Sequence, residues 1–264
     1  MALRSVHDRV ELAELLRANP ALHAYELGDL DDFFWPYTTW FRHGDALALL
    51  YHGLELPTLV ALAPPEPLVL LLSHLRPLLP RRFYAHLSRG GVAALASDFR
   101  PDPHGRHRKM ALTDHTRLRA VAPTGEVLSP DDLPDLLRLY AEAYPGNAFD
   151  RRMLETGQYI GVRRAGALVA VAGVHVWSPV YRVAALGNVT THPAARGQGL
   201  ATAAVAALCR KLLDTVDVVS LNVKADNAAA IAVYQRLGFT PIADYDEVAF
   251  EARDTPLVPE REPA

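Results

Sequence analysis

Apolar positions fall into two periods along the chain, and their alternation predicts an α/β protein. In residues 7–17 the positions Val10, Leu12, Ala13, Leu15 and Leu16 cluster at helical spacing, and Asn19-Pro20 stops the helix. Short apolar runs at 46–51 and 58–63 predict two paired strands around a turn at 53–57. A dense leucine run at 68–79 reads as a helix, and Pro, Gly and charge at 100–108 read as a loop. Strands are expected at 110–113 and 118–122. The aromatic stretch Phe33-Phe34-Trp35-Pro36-Tyr37, followed by Trp40-Phe41, carries so much apolar area that packing is its expected role.

The later part opens on a helix start, with Ser129 as N-cap, Pro130 at the first position and Asp131 and Asp132 in the first turn. Helices follow at 130–143 and 149–156, then strands at 159–163, 168–177 and 182–191. A helix at 199–213, a strand at 216–223, a helix at 227–237 and a strand pair at 240–250 complete the pattern. These elements divide into a smaller α/β domain at 1–116, a second domain at 117–252 and an unpacked tail at 253–264. No internal repeat is visible in the motifs.

Composition narrows the function. The chain has 264 residues, half of them hydrophobic, and a formal charge of -3, so it can bury a core but offers no basic field for nucleic acid. Cys209 is the only cysteine, which excludes an intrachain disulfide and a cysteine-based zinc site. Charges interrupt any signal-peptide run in residues 1–12, and Ser73, His74, Arg76 and Pro77 break the most apolar stretch below membrane-spanning length. A cytoplasmic protein with no membrane partner is expected. Homodimer and monomer both remain open.

The segment from Val189 to Thr202 carries the most chemistry. Pro193 ends a strand, Gly197 and Gly199 allow close backbone approach, and an alanine-rich helix begins at once. Free N–H groups and the positive end of the helix dipole make such a start an anion site without a lysine. Gly197-x-Gly199-x-x-Thr202 is one residue from a dinucleotide fingerprint. However, Asp217 lies at the wrong end of the next strand, and the strand before the turn is polar at Asn188, Thr190, Thr191 and His192. One strand later, Asn227 and Tyr234 stand seven residues apart, two helical turns, and Gly238-Phe239 stops that helix.

Together these segments resemble the GNAT acyltransferase superfamily. Arg196-Gly-Gln-Gly-Leu-Ala201 is similar to its R/Q-x-x-G-x-G/A signature, and residues 227–239 to its N-x-x-A…Y-x-x-x-G-F segment. The C-terminal half also looks like glycine N-acyltransferase relatives, which place a degenerate domain ahead of the active one. The resemblance implies a mixed, splayed sheet with flanking helices at 117–252, preceded by a smaller, degenerate GNAT-like α/β domain. It implies acetyl-CoA, or another acyl-CoA, as co-substrate. Val189, Thr190 and Thr191 would bond pantetheine. Arg196, Gly197, Gln198, Gly199, Leu200, Ala201 and Thr202 would hold the pyrophosphate. Asn222 and Asn227 complete the cofactor set, and Tyr234 would protonate the leaving thiolate. The implied activity is acyl transfer to a primary amine of a small molecule or peptide; the alternative is a non-catalytic acyl-CoA sensor.

Many family members carry a glutamate base on the strand before the signature. Here that strand offers Ala184, Ala185, Leu186, Gly187 and Asn188, of which Asn188 can only position a water. His175 and Glu142 are the candidates left for the base. Tyr144, Asn147 and Phe149 lie where the family's substrate loop falls. Asp102, His104 and His107 sit in the expected loop, where solvated surface outweighs a metal site. No Gly-x-Ser-x-Gly elbow is present for a serine hydrolase.

Overall fold

The computed structural model describes residues 2–253, so the expected tail lies outside the described residues from 254 onward. The chain begins with β1 (Arg4–Val6), α1 (Arg9–Leu16), α2 (Ala24–Gly28), β2 (Thr38–His43), β3 (Ala46–Tyr51) and β4 (Thr58–Ala61). Then come α3 (Pro65–Leu75), β5 (Arg82–Leu87), α4 (Gly91–Leu95), β6 (Phe99–Leu112) and α5 (His115–Ala120). The remainder runs β7 (Glu126–Val127), α6 (Leu133–Ala143), α7 (Arg152–Glu155), β8 (Ile160–Arg164), β9 (Ala167–Ser178) and β10 (Val183–Thr191). It closes with α8 (Leu200–Leu212), β11 (Val218–Lys224), α9 (Ala228–Arg236) and β12 (Phe239–Ala252).

All strands join one 12-stranded sheet in the order β1-β2-β3-β4-β5-β12-β6-β11-β10-β9-β8-β7. Moving each strand six places along the chain reproduces this order reversed. The pairings match too: β4 with β5 and β10 with β11 are parallel, and all other neighbours are antiparallel. Each parallel pair is bridged by a helix, α3 or α8. The fold thus contains a repeat that the motifs conceal, with the last strand of each repeat exchanged. β6 pairs with β11 of the second repeat, and β12 with β5 of the first.

Local chemistry accounts for the element starts. Asp8 caps α1 by accepting from Val10 N at 2.8 Å, and Asp114 caps α5 by accepting from Thr116 N at 3.0 Å. Ser129, the expected N-cap, donates its N–H to Asp132 at 2.8 Å and closes a capping box one turn before α6. Three expectations need correction. The Pro-rich segment 100–108 is not a loop but part of β6; beyond Arg106 its second edge has no strand neighbour among the described residues, so Pro101 and Pro103 sit where a missing donor is tolerated. The strand expected at 118–122 is the short helix α5, because Asp114 offers a cap. The strand pair expected at 240–250 is the single strand β12, bent by register shifts at Pro241/Ala243 and Glu247/Val248.

Two buried clusters fill the repeats, and α2 ties them together. It belongs to the first repeat in sequence, yet Gly28 lies against Val176 and Val183 of the second. Phe34 is buried with Val176 and Ala185, which gives the aromatic stretch its packing role. Beneath α2, Lys109 of β6 is 2% exposed and donates to Leu22 O at 2.8 Å, with Glu26 at 3.9 Å and the Tyr25 ring at 4.8 Å. Burial opposes the charge on Glu26, but Lys109 and His23 outweigh it and hold the carboxyl at about 2.

Gly238 closes α9 at φ 95°, and its carbonyl accepts from Thr113 N and Asp114 N, both at 3.0 Å. A side chain there would strike the Asp114 carbonyl. Gly238→Ala is expected to destabilise the protein by about 2 kcal/mol or more. Urea unfolding checks this as a lower midpoint at unchanged slope.

Candidate functional site

The centre of the second repeat is an opening between two parallel strands. β10 and β11 pair from Val183↔Val218 to Leu186↔Leu221 and then part, although β10 continues to Thr191 and β11 to Lys224. A bulge against β9 between Gly187 and Thr190 turns β10 away. Asn188, at the bulge, has φ 54° and is locked: its carbonyl accepts from the Tyr140 hydroxyl at 3.0 Å, and its amide donates to the Tyr159 hydroxyl at 3.2 Å. Asn188 is therefore engaged in holding the bulge. On β10 and β11, Thr191 Oγ1, Ser220 Oγ and Asn222 Oδ1 are buried without a partner among the described residues. Val189 is half-buried and Thr190 buried beside them.

At the mouth of the opening lies the glycine turn. Gly197 and Gly199 adopt φ 76° and 74°, and a Cβ on either would meet nothing within 4 Å. The turn thus faces open space, and left-handed backbone selects glycine there. The first N–H to close α8 is that of Ala203, onto Gly199 O at 3.0 Å, which leaves the preceding N–H groups as free donors. Arg196 and Gln198 are exposed on the turn, while Leu200 and Thr202 are buried and Ala201 is half-buried behind it. Arg196 Nε donates to Thr191 O at 3.3 Å, which fixes the turn to the end of β10.

After β11 comes α9. Asn227 is exposed and caps it by accepting from Ala230 N at 3.1 Å, which leaves its amide N–H₂ free. Tyr234 is 7% exposed and packs on Phe239. Its hydroxyl makes no hydrogen bond to any described residue, and burial pushes its pKa up, so the phenol keeps its proton. Asn227 is thus exposed at the start of α9, and Tyr234 is buried two turns on.

The candidate bases separate clearly. Glu142 is an exposed carboxylate 2.9 Å from His192 Nε2, beside the glycine turn. His175 is half-buried on β9, and a side chain at Gly187 would strike its ring. Burial pulls its pKa down to about 4, so the imidazole is neutral at neutral pH, and it makes no hydrogen bond to a described residue. Of the substrate-loop residues, Asn147 Nδ2 donates to Tyr144 O at 2.7 Å and Phe149 packs on Tyr140 and Tyr159, both structural contacts. The Tyr144 side chain stands free at 44% exposure.

Residues that sequence reasoning missed come from the first repeat and from β12. The Tyr25 hydroxyl donates to Leu186 O, the last paired position of β10, at 3.3 Å. Glu247 accepts from Tyr84 at 2.6 Å and from Tyr245 at 2.8 Å, with His86 and His107 each at 3.5 Å. No motif announces them, because strand exchange brings them together.

Comparison with known proteins identifies the second repeat. Residues 127–239 match the profile of the acetyltransferase (GNAT) family. This likeness to the GNAT family covers less than half of the chain. The chain is 34% identical over 105 residues to the N-alpha-acetyltransferase RimI of Mycobacterium tuberculosis, an alignment that covers 37% of this chain and 62% of that relative's length. A Drosophila protein of known structure superposes over 94% of this chain and 97% of its own, with a TM-score of 0.68 at 14% identity. A tandem GNAT protein from the clavulanic acid biosynthesis pathway superposes over 95% and 98%, with a TM-score of 0.56 at 19% identity. At these identities the two structures show a shared fold.

The GNAT segment and the first repeat differ at the turn between the parallel strands. β4 pairs with β5 as far as its own end, Ala61↔Leu87, so no opening forms. Where the GNAT segment has Gly197 and Gly199, the first repeat has Pro64, Pro65 and Pro67, none of which has an N–H to donate. The helix after β5, α4, has neither an asparagine cap nor a tyrosine.

His175 generates a pH dependence. Its folded pKa, about 4, lies below the ordinary 6.5, so the unfolded chain binds more protons between those values. Stability is therefore expected to fall as pH drops from about 6.5 toward about 4. His86 is lowered by burial as well and acts in the same direction. Denaturant titrations across this range should show a shallower slope in His175→Asn.

Proposed function

We propose that this chain binds acetyl-CoA, or a related acyl-CoA, in the opening between β10 and β11 and transfers the acyl group to an amine. The observation that carries this reading is a strand pair that parts beside a turn of free N–H groups, followed one strand later by the Tyr234 hydroxyl, which bonds no described residue. Pantetheine would lie along the free edge of β10, bonding Val189 and Thr191 as an added strand, with Thr190 beneath. The partnerless oxygen of Asn222 and the free amide of Asn227 suit the cofactor's amides and phosphates. The N–H groups from Gly197 to Thr202, with Arg196 and Gln198 outside, would take the pyrophosphate.

Chemistry then follows from proximity. The amine nitrogen attacks the thioester carbonyl, the C–N bond forms and the C–S bond breaks. Tyr234 gives its proton to the leaving sulfur, and the proton shed by the nitrogen restores the phenol. His175, neutral and unbonded over Gly187, is the group assigned to pass that proton. The acceptor is a primary amine of a small molecule or a peptide. The relative named above is an N-alpha-acetyltransferase, which keeps peptide N-termini among the candidates. The absence of a carboxylate on β10 favours a second reading, a sensor that binds acyl-CoA without turnover. Release of free thiol in the presence of an amine separates the two.

Two variants test the site. Gly199→Ala places a methyl group where the protein leaves open space, so calorimetry should show acetyl-CoA affinity falling at least about tenfold in a folded protein. Binding stoichiometry in the parent protein should be one per chain, given the prolines of the first repeat. Tyr234→Phe keeps the ring and removes the proton; kcat is expected to drop about 10²–10⁴-fold with acetyl-CoA affinity retained. Parent-level kcat in that variant, with chemistry limiting, would show that Tyr234 is only a packing residue.

A further inference from the structure

The bulge in β10 is held by side chains, and two of the holds lead back to the first repeat. Asn188 is 5% exposed at φ 54°, and a left-handed residue inside a buried strand persists where its surroundings over-determine it. Its carbonyl accepts from Tyr140, and its amide nitrogen has two hydrogens to give. One goes to the Tyr159 hydroxyl at 3.2 Å and the other to Met153 Sδ at 3.6 Å. Met153 belongs to α7, which has only four residues. A helix that short does not hold itself in place, so α7 needs an anchor.

Arg152 is that anchor. Its Nη2 donates to Gly53 O at 3.2 Å, and its Cζ stands 4.6 Å over the Tyr37 ring. Tyr37 and Gly53 flank the open end of the β2–β3 hairpin, which His52 N closes by donating to Tyr37 O at 2.7 Å. Within its own segment, Arg152 Nε donates to Asp150 Oδ1 at 3.1 Å, the oxygen that also accepts from Arg152 N at 2.8 Å. The guanidinium is thereby shared between α7 and the first repeat.

The second hold is direct. Tyr25 of α2 donates its hydroxyl to Leu186 O at 3.3 Å, at the last position where β10 pairs with β11. Its ring carries Lys109 Nζ at 4.8 Å and lies 6.1 Å from the His175 ring. The close fit of Gly28 against Val176 and Val183 fixes α2 itself. Contacts from the first repeat therefore reach β10 on both sides of Gly187, at Leu186 directly and at Asn188 through α7.

We propose that the first repeat is a brace for the opening, with Tyr25 and Arg152 as positioning residues that fix the bulge at which β10 leaves β11. The repeat without a glycine turn thus serves the ligand of the other repeat and takes none of its own. The proposal rests on the acyl-CoA reading only for the ligand that reports on the gap; the brace itself is tested without one.

Tyr25→Phe removes one hydroxyl and keeps the ring. Arg152→Met removes the bond to Gly53 and the charge over Tyr37 while keeping an unbranched side chain. Both are made in the full chain, singly and together. Without ligand, amide deuterium exchange in peptides covering 186–191 should speed up about tenfold or more in the double variant, while the ladder of β4 with β5 keeps its protection. With CoA as the probe, calorimetry should show affinity falling about 3–10-fold in each single variant, the scale of one lost hydrogen bond, and further in the double. Arg152→Lys returns a cation over Tyr37 and a donor for Gly53, and should recover part of the loss. Localised exchange in the variants of a parent protein that binds no CoA would support the brace and count against the acyl-CoA reading. Exchange that rises evenly across the sheet, or a folded double variant with the CoA affinity of a parent that binds it, would overturn the proposal, because the contacts would then hold the fold and not the gap.

Discussion

The hydrogen bonds between β6 and β12 run from Leu112↔Phe239 to Phe99↔Ala252 and join the last strand of each repeat. Because each of these strands also pairs with the other repeat's β5 or β11, the two repeats share one sheet rather than an interface. The direct β5–β12 pairing sets Tyr84 beside Glu247, and the β6–β11 pairing holds β11 on one edge while the end of its other edge is released. An edge left unpaired in the middle of a sheet is normally a liability. Here β11 is held by β6 and β10 by β9, so the gap persists.

The gap and the glycine turn use backbone rather than side-chain charge. Lysine is scarce in this chain, and the turn's donors are N–H groups that α8 itself cannot satisfy. The first repeat is the control that the molecule supplies. It has the same parallel pair and the same bridging helix, but its strand pairing runs to the end of β4, and prolines replace the donors. Topology alone therefore neither opens the sheet nor leaves N–H donors free; left-handed glycines and an interrupted ladder do.

Much of the second repeat was legible in the sequence because its signals are local. Gly197, Gly199, the Asn227 cap and the Gly238 stop each declare a backbone geometry that the structure adopts. The elements from 130 to 237 fall close to their expected bounds for the same reason. What was hidden is non-local. The repeat is carried by strand order, and the residues on its two halves do not resemble one another. Pro101, Pro103 and Gly105 read as a loop because sequence cannot say that one edge of β6 goes unpaired there. Glu247 looked like an ordinary strand residue, since its partners Tyr84 and His107 are more than a hundred positions away. His175 was visible as a candidate, but not the glycine that makes room for its ring.

The exchanged strands also govern the order in which the molecule is built. During synthesis β5 emerges long before β12, the strand that covers its edge, and β6 must wait for both β11 and β12. Loop closure over such separations is slow, and unpaired strand edges are the sites at which incomplete chains associate. A ribosome-bound chain stalled before β12 would hold a first repeat with its central edge bare. Pairing of β12 and closure of the sheet are then a single late event, so a molecule that has Tyr84 bonded to Glu247 has necessarily brought the two repeats together.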